Sequence, residues 1–184
     1  MKTAVVENYQ AEEKLVNGQI VKLRSIHSTD KAILKEGMHH LSPRSLYFRF
    51  LTHKKELSEK ELVYFTEIDH FHHVALLASI IDGDKEIPAG VGRYVMTNAP
   101  GITLSADIGF AVSDEFQGLG IGTLLLKHLI KLARQAGLKQ FTALVLPDNK
   151  RMLSVFRKSE LTIAETVNSV GVLELTLTLA CRET

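Results

Sequence analysis

Asp107-Ile-Gly-Phe-Ala-Val-Ser-Asp-Glu-Phe-Gln-Gly-Leu-Gly-Ile-Gly-Thr123 is the stretch whose reading decides the fold. It reads as a strand, a turn, a glycine-rich loop and the start of a helix. Phe110, Ala111 and Val112 continue an apolar run begun at Ile102 and Leu104. Ser113, Asp114 and Glu115 break that run with turn residues. Gln117-Gly-Leu-Gly-Ile-Gly122 follows, with glycine at alternate positions. Without Cβ atoms, the backbone N–H groups there can approach a ligand closely. A helix that starts at this point adds unpaired N–H groups and the positive end of its dipole. Together these make an anion site, and phosphate is its usual occupant. The P-loop pattern needs Lys-Ser/Thr after its last glycine, and the dinucleotide fingerprint needs G-x-G-x-x-G. Gly122-Thr123 and the G-x-G-x-G spacing meet neither.

Downstream of the loop, Gly122 to Ala136 has helical periodicity. Leu125, Leu129, Leu132 and Ala133 lie on one side, Lys127, Lys131 and Arg134 on the other, and Gly137 follows as a terminator. Phe141–Leu146 is a short strand, Pro147-Asp148-Asn149 a turn and cap for a helix to about Lys158. Leu161–Val167 and Val170–Ala180 form a hairpin about Asn168-Ser169. The helix between them makes Phe141–Leu146 parallel to the strand before the loop. Upstream, three antiparallel strands are expected at His73–Ile81, Ile87–Met96 and Ile102–Val112, joined by Asp82-Gly-Asp84 and Asn98-Ala-Pro-Gly101. Before them come a strand over Gln19–Ser25, a helix from Ser28-Thr-Asp30 to about His40, a helix opened by Ser42-Pro43, and a short helix capped by Ser58 with Glu61. Residues 1–18 read as a tail or a loosely attached first strand, and residues 19–184 as one domain.

Composition excludes several classes. Net charge is +1, so bulk electrostatics favour neither nucleic acid nor an acidic membrane. A single cysteine, Cys181, allows no internal disulfide, and a reducing, cytoplasmic setting is expected. No apolar run approaches the roughly 20 residues needed to span a bilayer. Met-Lys-Thr-Ala-Val-Val-Glu-Asn8 turns acidic too early for a signal peptide.

Gln117-x-x-Gly120-x-Gly122 resembles the acyl-CoA pyrophosphate loop of the GNAT N-acetyltransferase superfamily, and the order β-α-α-α-β-β-β-α-β-α-β-β is similar to that fold over about residues 19–180. The resemblance implies an α/β (α+β) GNAT fold, with a mixed, mostly antiparallel sheet splayed between Ala106–Val112 and Phe141–Leu146. It further implies acetyl-CoA as acyl donor. Main-chain groups of Phe110, Ala111 and Val112 would pair with the pantetheine arm. Amides of Gln117, Gly118, Leu119, Gly120, Ile121, Gly122 and Thr123 would hold the pyrophosphate, and Asn149 would touch the cofactor. No metal is implied. A narrower likeness lies in Arg44-Ser-Leu-Tyr-Phe-Arg-Phe50, Leu57-Ser-Glu-Lys-Glu-Leu62, Phe65-x-x-Ile68-Asp69 and Pro147-Asp-Asn-Lys-Arg-Met152. These resemble the GNAT domain of bacterial Pat-type protein lysine acetyltransferases. Several Pat-type proteins carry this domain fused to an acyl-CoA-synthetase-like or cyclic-nucleotide-binding domain, and neither is expected within these 184 residues.

The candidate catalytic base is Asp107, in an otherwise apolar or small run whose burial would raise its pKa. Pat-type proteins usually carry glutamate at the corresponding position; the shorter aspartate favours a bridging water. Its rivals are Glu115, Glu67 and Asp69, and the alternative reading of Asp107 is a solvent-facing strand residue. Many GNAT enzymes carry a tyrosine on the helix after Asn149 as acid for the departing thiolate. Here that helix has none, with Ser154 and Phe156 nearby, and Ser159-Glu-Leu161 replaces the usual Leu-Gly-Phe. A thiol pKa of about 8.5 lets a dedicated acid be dispensed with. His70, His72 and His73 invite a zinc reading, with alternation placing His70 and His72 on one face, but no partner has ligand spacing. His39-His40 reads as helix-end surface, Cys181 as a small terminal residue, and Tyr47, Phe48 and Phe50 as core. The expected activity is acetyl transfer to a primary amine in a ternary complex. A protein lysine, on a partner such as an acyl-CoA synthetase, is the first acceptor considered. A small amine or amino acid, and a non-catalytic acyl-CoA sensor, are the alternatives. A homodimer is the candidate assembly.

Overall fold

The structure is a computed structural model that describes residues 6–97 and 104–179. The turn expected at Asn98–Gly101, the start of the strand expected from Ile102, and Cys181 lie outside the described residues. Eight strands form one sheet: β1 (Gln10–Lys14), β2 (Ile20–Ser25), β3 (His73–Asp82), β4 (Lys85–Thr97), β5 (Ser105–Val112), β6 (Gln140–Val145), β7 (Thr162–Val167) and β8 (Leu173–Thr178). Their spatial order is β1-β2-β3-β4-β5-β6-β8-β7. The described helices of a turn or more are α1 (Lys31–Gly37), α2 (Pro43–Phe50), α3 (Glu59–Thr66), α4 (Ile121–Gln135) and α5 (Lys150–Arg157). The sheet is mixed and mostly antiparallel, as the sequence leads one to expect.

The parallel pair is β5 with β6, and it is short. Only Ser105↔Gln140, Ala106↔Phe141 and Asp107↔Thr142 are in register. Beyond Asp107 the two strands part, while β5 stays paired with β4 as far as Val112↔Gly90. From Ile108 onward, therefore, one edge of β5 lacks a ladder partner inside an otherwise continuous sheet.

Two helical layers cover the sheet. A Cβ added to Gly92 on β4 would lie 3.1 Å from Leu129 of α4, so that face belongs to α4. Leu125, Leu126, Leu129, Leu132 and Ala133 bury the apolar stripe of α4 against it. Consecutive strand residues face opposite ways. Val91 and Arg93 accordingly look toward α1–α3, where Leu46 and Leu62, with Met38 just after α1 and Leu57 just before α3, form a second, smaller cluster.

Caps follow the sequence closely. Ser42 accepts from Ser45 N, with Pro43 in the first turn. Ser58 and Glu61 exchange bonds in a capping box. Gly137, at φ +84, ends α4. The helix expected from Ser28 to His40 is split, with single 3-10 turns at Ser28–Asp30 and Met38–His40 around α1. The closing hairpin has a longer loop than Asn168-Ser169, because the Asn168 side chain accepts from both Val170 N and Val172 N and holds these residues out of the strands. β1 is one of the two edge strands, paired with β2 from Gln10↔Arg24 to Lys14↔Ile20. Glu13 ties it to α4 through Lys127 at 2.7 Å and His128 at 3.0 Å, so the basic side of α4 is partly engaged rather than merely solvated.

Candidate active site

The parting of β5 and β6 opens a cleft of ≈ 700 Å³. That volume suits a large ligand. Ile108 to Val112 form one wall, Ala143, Leu144 and Val145 the other, and α5 contributes Lys150, Arg151, Met152, Ser154 and Val155. Leu144 stands 55% exposed in this opening although it is a strand leucine, because β5 has parted from β6 there and only β8 stays beside it.

The glycine-rich loop closes one end. Gly118 has φ +83 and Gly120 has φ +98. Both conformations strain a residue with a Cβ. Gly120 is the N-cap of α4 and uses no side-chain cap, so the first amides of the helix remain available. Gln117, Gly118, Gly120, Ile121, Gly122 and Thr123 line the cleft, and Leu119 packs on the core instead. Gln117 works through its side chain as well: its Nε2 donates to Val112 O at 3.0 Å, Asp114 Oδ1 at 3.0 Å and Ser45 Oγ at 3.2 Å. It thereby fastens the loop to the end of β5 and to α2. Burial pushes the Asp114 carboxyl up, but hydrogen bonds from Ser45 and Ser42 outweigh it and leave Asp114 below its ordinary value.

Sequence reasoning left out the basic rim. Arg151 donates to Gln117 Oε1, Lys150 lines the cleft, and Arg44 pairs with Asp148 at 3.3 Å. The signal for Lys150 and Arg151 was present, as two cations directly after a helix cap. Asn149 lines the cleft and caps α5 by accepting from Met152 N at 3.2 Å, which leaves its amide nitrogen for a ligand. Ser154 is half-buried and lines the cleft. Phe156 is a core residue, 1% exposed and edge-on to Phe110.

Asp107 occupies the last paired position before the strands part, and Thr142 Oγ1 donates to its Oδ1. The burial expected for it is not found, since Asp107 is exposed. Ala106, Ile108 and Phe110 take the core face of β5, which turns Asp107, Gly109 and Ala111 to the side of α1–α3. The rival bases are otherwise engaged. Asp69 Oδ1 accepts from the amides of Phe71, His72 and His73, and Oδ2 bonds His72 Nδ1 at 2.8 Å. Burial raises the Asp69 carboxyl, yet these bonds prevail and hold it down to about 2. Glu67 pairs with Lys31, and Glu115 with His40.

The three histidines have separate surroundings. His70 is left-handed at φ 55 and lies near His27, His72 bonds Asp69, and His73 accepts from Arg93 at 2.9 Å. His70 and His72 precede β3, so strand alternation does not align them. Burial, then the Arg93 charge, hold His73 down to about 4, so it is a neutral acceptor. Among the described residues no cluster of histidine, cysteine or carboxylate side chains has metal-binding geometry.

The cleft suits a phosphate-bearing acyl carrier: unblocked amides and left-handed glycines at one end, an unpaired strand edge beside it, and a carboxylate where that edge begins. Known proteins agree. The sequence profile of the acetyltransferase (GNAT) family matches residues 37–160. Acetyltransferase PA5475 of Pseudomonas aeruginosa is 29% identical over 149 residues, 81% of this chain and 78% of that protein. Acetyltransferase Pat of Mycolicibacterium smegmatis is 30% identical over 138 residues, 75% of this chain, and the match spans 40% of that longer protein. The crystal structure of the GNAT domain of S. lividans PAT superposes with a TM-score of 0.82 at 30% identity, covering 92% of this chain and 96% of that one. The structure of yncA from Salmonella typhimurium, solved with its cofactor acetyl-CoA, shares the fold at a TM-score of 0.69 and 19% identity, over 89% and 96% of the two chains. The loop, the splay and the match over residues 37–160 lead to one conclusion: the chain belongs to the GNAT family of acetyltransferases.

Proposed function

We propose that this enzyme acetylates a primary amine by direct transfer in a ternary complex, with Asp107 as proton acceptor and a protein lysine as acceptor. The observation that carries the reading is the unpaired edge of β5, which runs from the glycine-rich loop back to Asp107. The amides of Gln117, Gly118, Gly120, Ile121, Gly122 and Thr123, with the side chains of Lys150 and Arg151, are the groups suited to the pyrophosphate. The edge from Phe110 to Val112 suits an amide-bearing arm.

A lysine amine of pKa near 10.4 is only about 0.04% neutral at pH 7, so presenting it uncharged costs roughly 4.6 kcal/mol. Asp107, directly or through a water, takes the ammonium proton. The amine nitrogen then bonds the acyl carbon, the carbon–sulfur bond breaks, the sulfur leaves with the electron pair, and the second proton of the nitrogen passes through solvent to the departing thiolate. Because Asp107 is exposed, acceptor and water both have access to it. Thr142 fixes its carboxylate orientation.

The lysine reading is supported by the likeness to Pat GNAT domains in sequence and structure. An acyl-CoA synthetase is the candidate partner, and one cysteine fits a reducing, cytoplasmic setting. A second reading, a small amine that carries an acid, is favoured by two arginines near the site, taken up below. A cell lysate treated with enzyme and acetyl-CoA, followed by mass spectrometry, separates the two. Acetylated lysines enriched on a few proteins are expected; acetylation confined to metabolites would overturn the lysine assignment.

A further inference from the structure

On the face of β4 and β5 that looks away from α4, two arginine side chains border one cavity. Arg93 of β4 is in register with Gly109 of β5, so the two positions share a sheet face. A Cβ added to Gly109 would lie 3.1 Å from both Cζ and Nη1 of Arg49. The Arg49 guanidinium, reaching down from α2, therefore fills the place of a side chain at Gly109, next to Arg93. Burial, then the charge of Arg49, push Arg93 down to about 9, and burial lowers Arg49 as well.

Like charges so placed call for a counter-ion. Among the described residues no carboxylate lies within ion-pair distance of either arginine. Arg93 donates to Phe65 O at 3.2 Å and His73 Nε2 at 2.9 Å, and lies 4.4 Å from the centre of the Phe65 ring. Those contacts are neutral. Arg49 has the Phe50 ring at 5.3 Å, and no hydrogen-bond acceptor among the described residues.

Both arginines border a cavity of ≈ 80 Å³ whose other walls are mostly apolar, among them Leu34, Phe50, Phe65 and Val91. Arg49 also lines the ≈ 700 Å³ cleft, so the two spaces share a wall. Asp107 is two residues from Gly109 on the same face of β5, about 7 Å along the strand. A planar, bidentate donor beside a small apolar space fits a carboxylate better than a bulkier phosphate.

We infer that Arg49 and Arg93 form a carboxylate-binding subsite, which reads an acidic group carried by the acceptor amine close to the atom that is acetylated. The inference rests on the transfer reading above. The same chemistry can come from the α-carboxylate of a free amino acid or from an acidic side chain beside a protein lysine.

The probe is 4-methylpentanoate, titrated calorimetrically into the enzyme with coenzyme A present; 4-methylpentanamide is its uncharged match. Saturable binding of the acid is expected, weakened about tenfold or more in the amide and in Arg49→Gln. Arg93→Gln loses bonds to Phe65 and His73 and endangers folding, so the test relies on Arg49→Gln, with its melting temperature checked. The sources are separated by kcat/KM for leucine against leucinamide, and for a lysine peptide with adjacent glutamate against its glutamine counterpart. The pair whose charge preference disappears in Arg49→Gln identifies the source. A purely structural role for the arginines would move stability without moving that preference. No binding of the acid, or equal binding in Arg49→Gln, overturns the inference. So does the absence of a charge preference in both pairs. Acetyl-CoA titrated into the same wild-type sample keeps the two readings apart, since its binding survives failure of the subsite and its absence removes the transfer reading itself.

Discussion

Asp107→Asn should lower turnover at pH 7 by about 10²- to 10⁴-fold, the usual contribution of a positioned base. The substitution keeps the size of the side chain and an oxygen that can accept from Thr142, so it removes proton affinity and little else. Asp107 is exposed and does not border the cleft, so acetyl-CoA affinity should stay near wild type. The residual rate should climb with pH as more acceptor amine becomes neutral, whereas the wild-type enzyme depends less on the spontaneously free amine. Glu115→Gln is the comparison: Glu115 lies in the turn before the loop, paired with His40 at 3.4 Å, and its loss should cost little. Near-full activity and an unaltered pH profile in Asp107→Asn, with loss in Glu115→Gln, would move the base to the turn.

The second large effect is expected at Gly120. Its φ of +98 is a conformation that a β-branched residue strongly resists. An added Cβ would meet only Leu15 Cδ2, at 4.0 Å, so the protein itself leaves room and backbone strain carries the effect. Gly120→Val should make the loop rearrange ahead of α4 and disperse the amides that cradle the anion. The left-handed penalty of roughly 1–2 kcal/mol corresponds to about 5- to 30-fold weaker acetyl-CoA binding. Calorimetry measures it, with the melting transition as a check on the fold. Undiminished affinity in a folded variant would mean that the phosphates sit elsewhere.

What could be read from the sequence is what local chemistry determines. The loop, α4 and its glycine terminator each announce themselves within a few residues: Gly118 and Gly120 by the backbone they permit, Leu125, Leu129 and Leu132 by their period. Ser58 with Glu61, and Ser42 with Pro43, are equally local. β1 was harder to define, because Gln-Ala-Glu-Glu-Lys has little strand propensity and is held by pairing with β2 and by Glu13 on α4. The exposure of Asp107 was hidden for a related reason. Its apolar neighbours face the core on alternate positions, and where β6 departs is a matter of tertiary geometry. Arg49 and Arg93 are 44 positions apart, and they meet only because the register of β4 with β5 places Arg93 opposite a glycine. Thr142 reaches Asp107 through the short parallel pairing alone. Contacts made by register across a sheet leave no periodic trace in either segment.

The central claim is that the cleft performs acyl transfer rather than merely sensing the acyl carrier. Free thiol released from acetyl-CoA, followed continuously with a panel of primary amines that includes lysine peptides and amino acids, tests it most directly. Acceptor-dependent release well above the hydrolysis blank, lowered about 10²- to 10⁴-fold at pH 7 in Asp107→Asn, is the predicted result. Tight acetyl-CoA binding with no release above the blank for any acceptor would contradict the claim and identify the protein as a binding module.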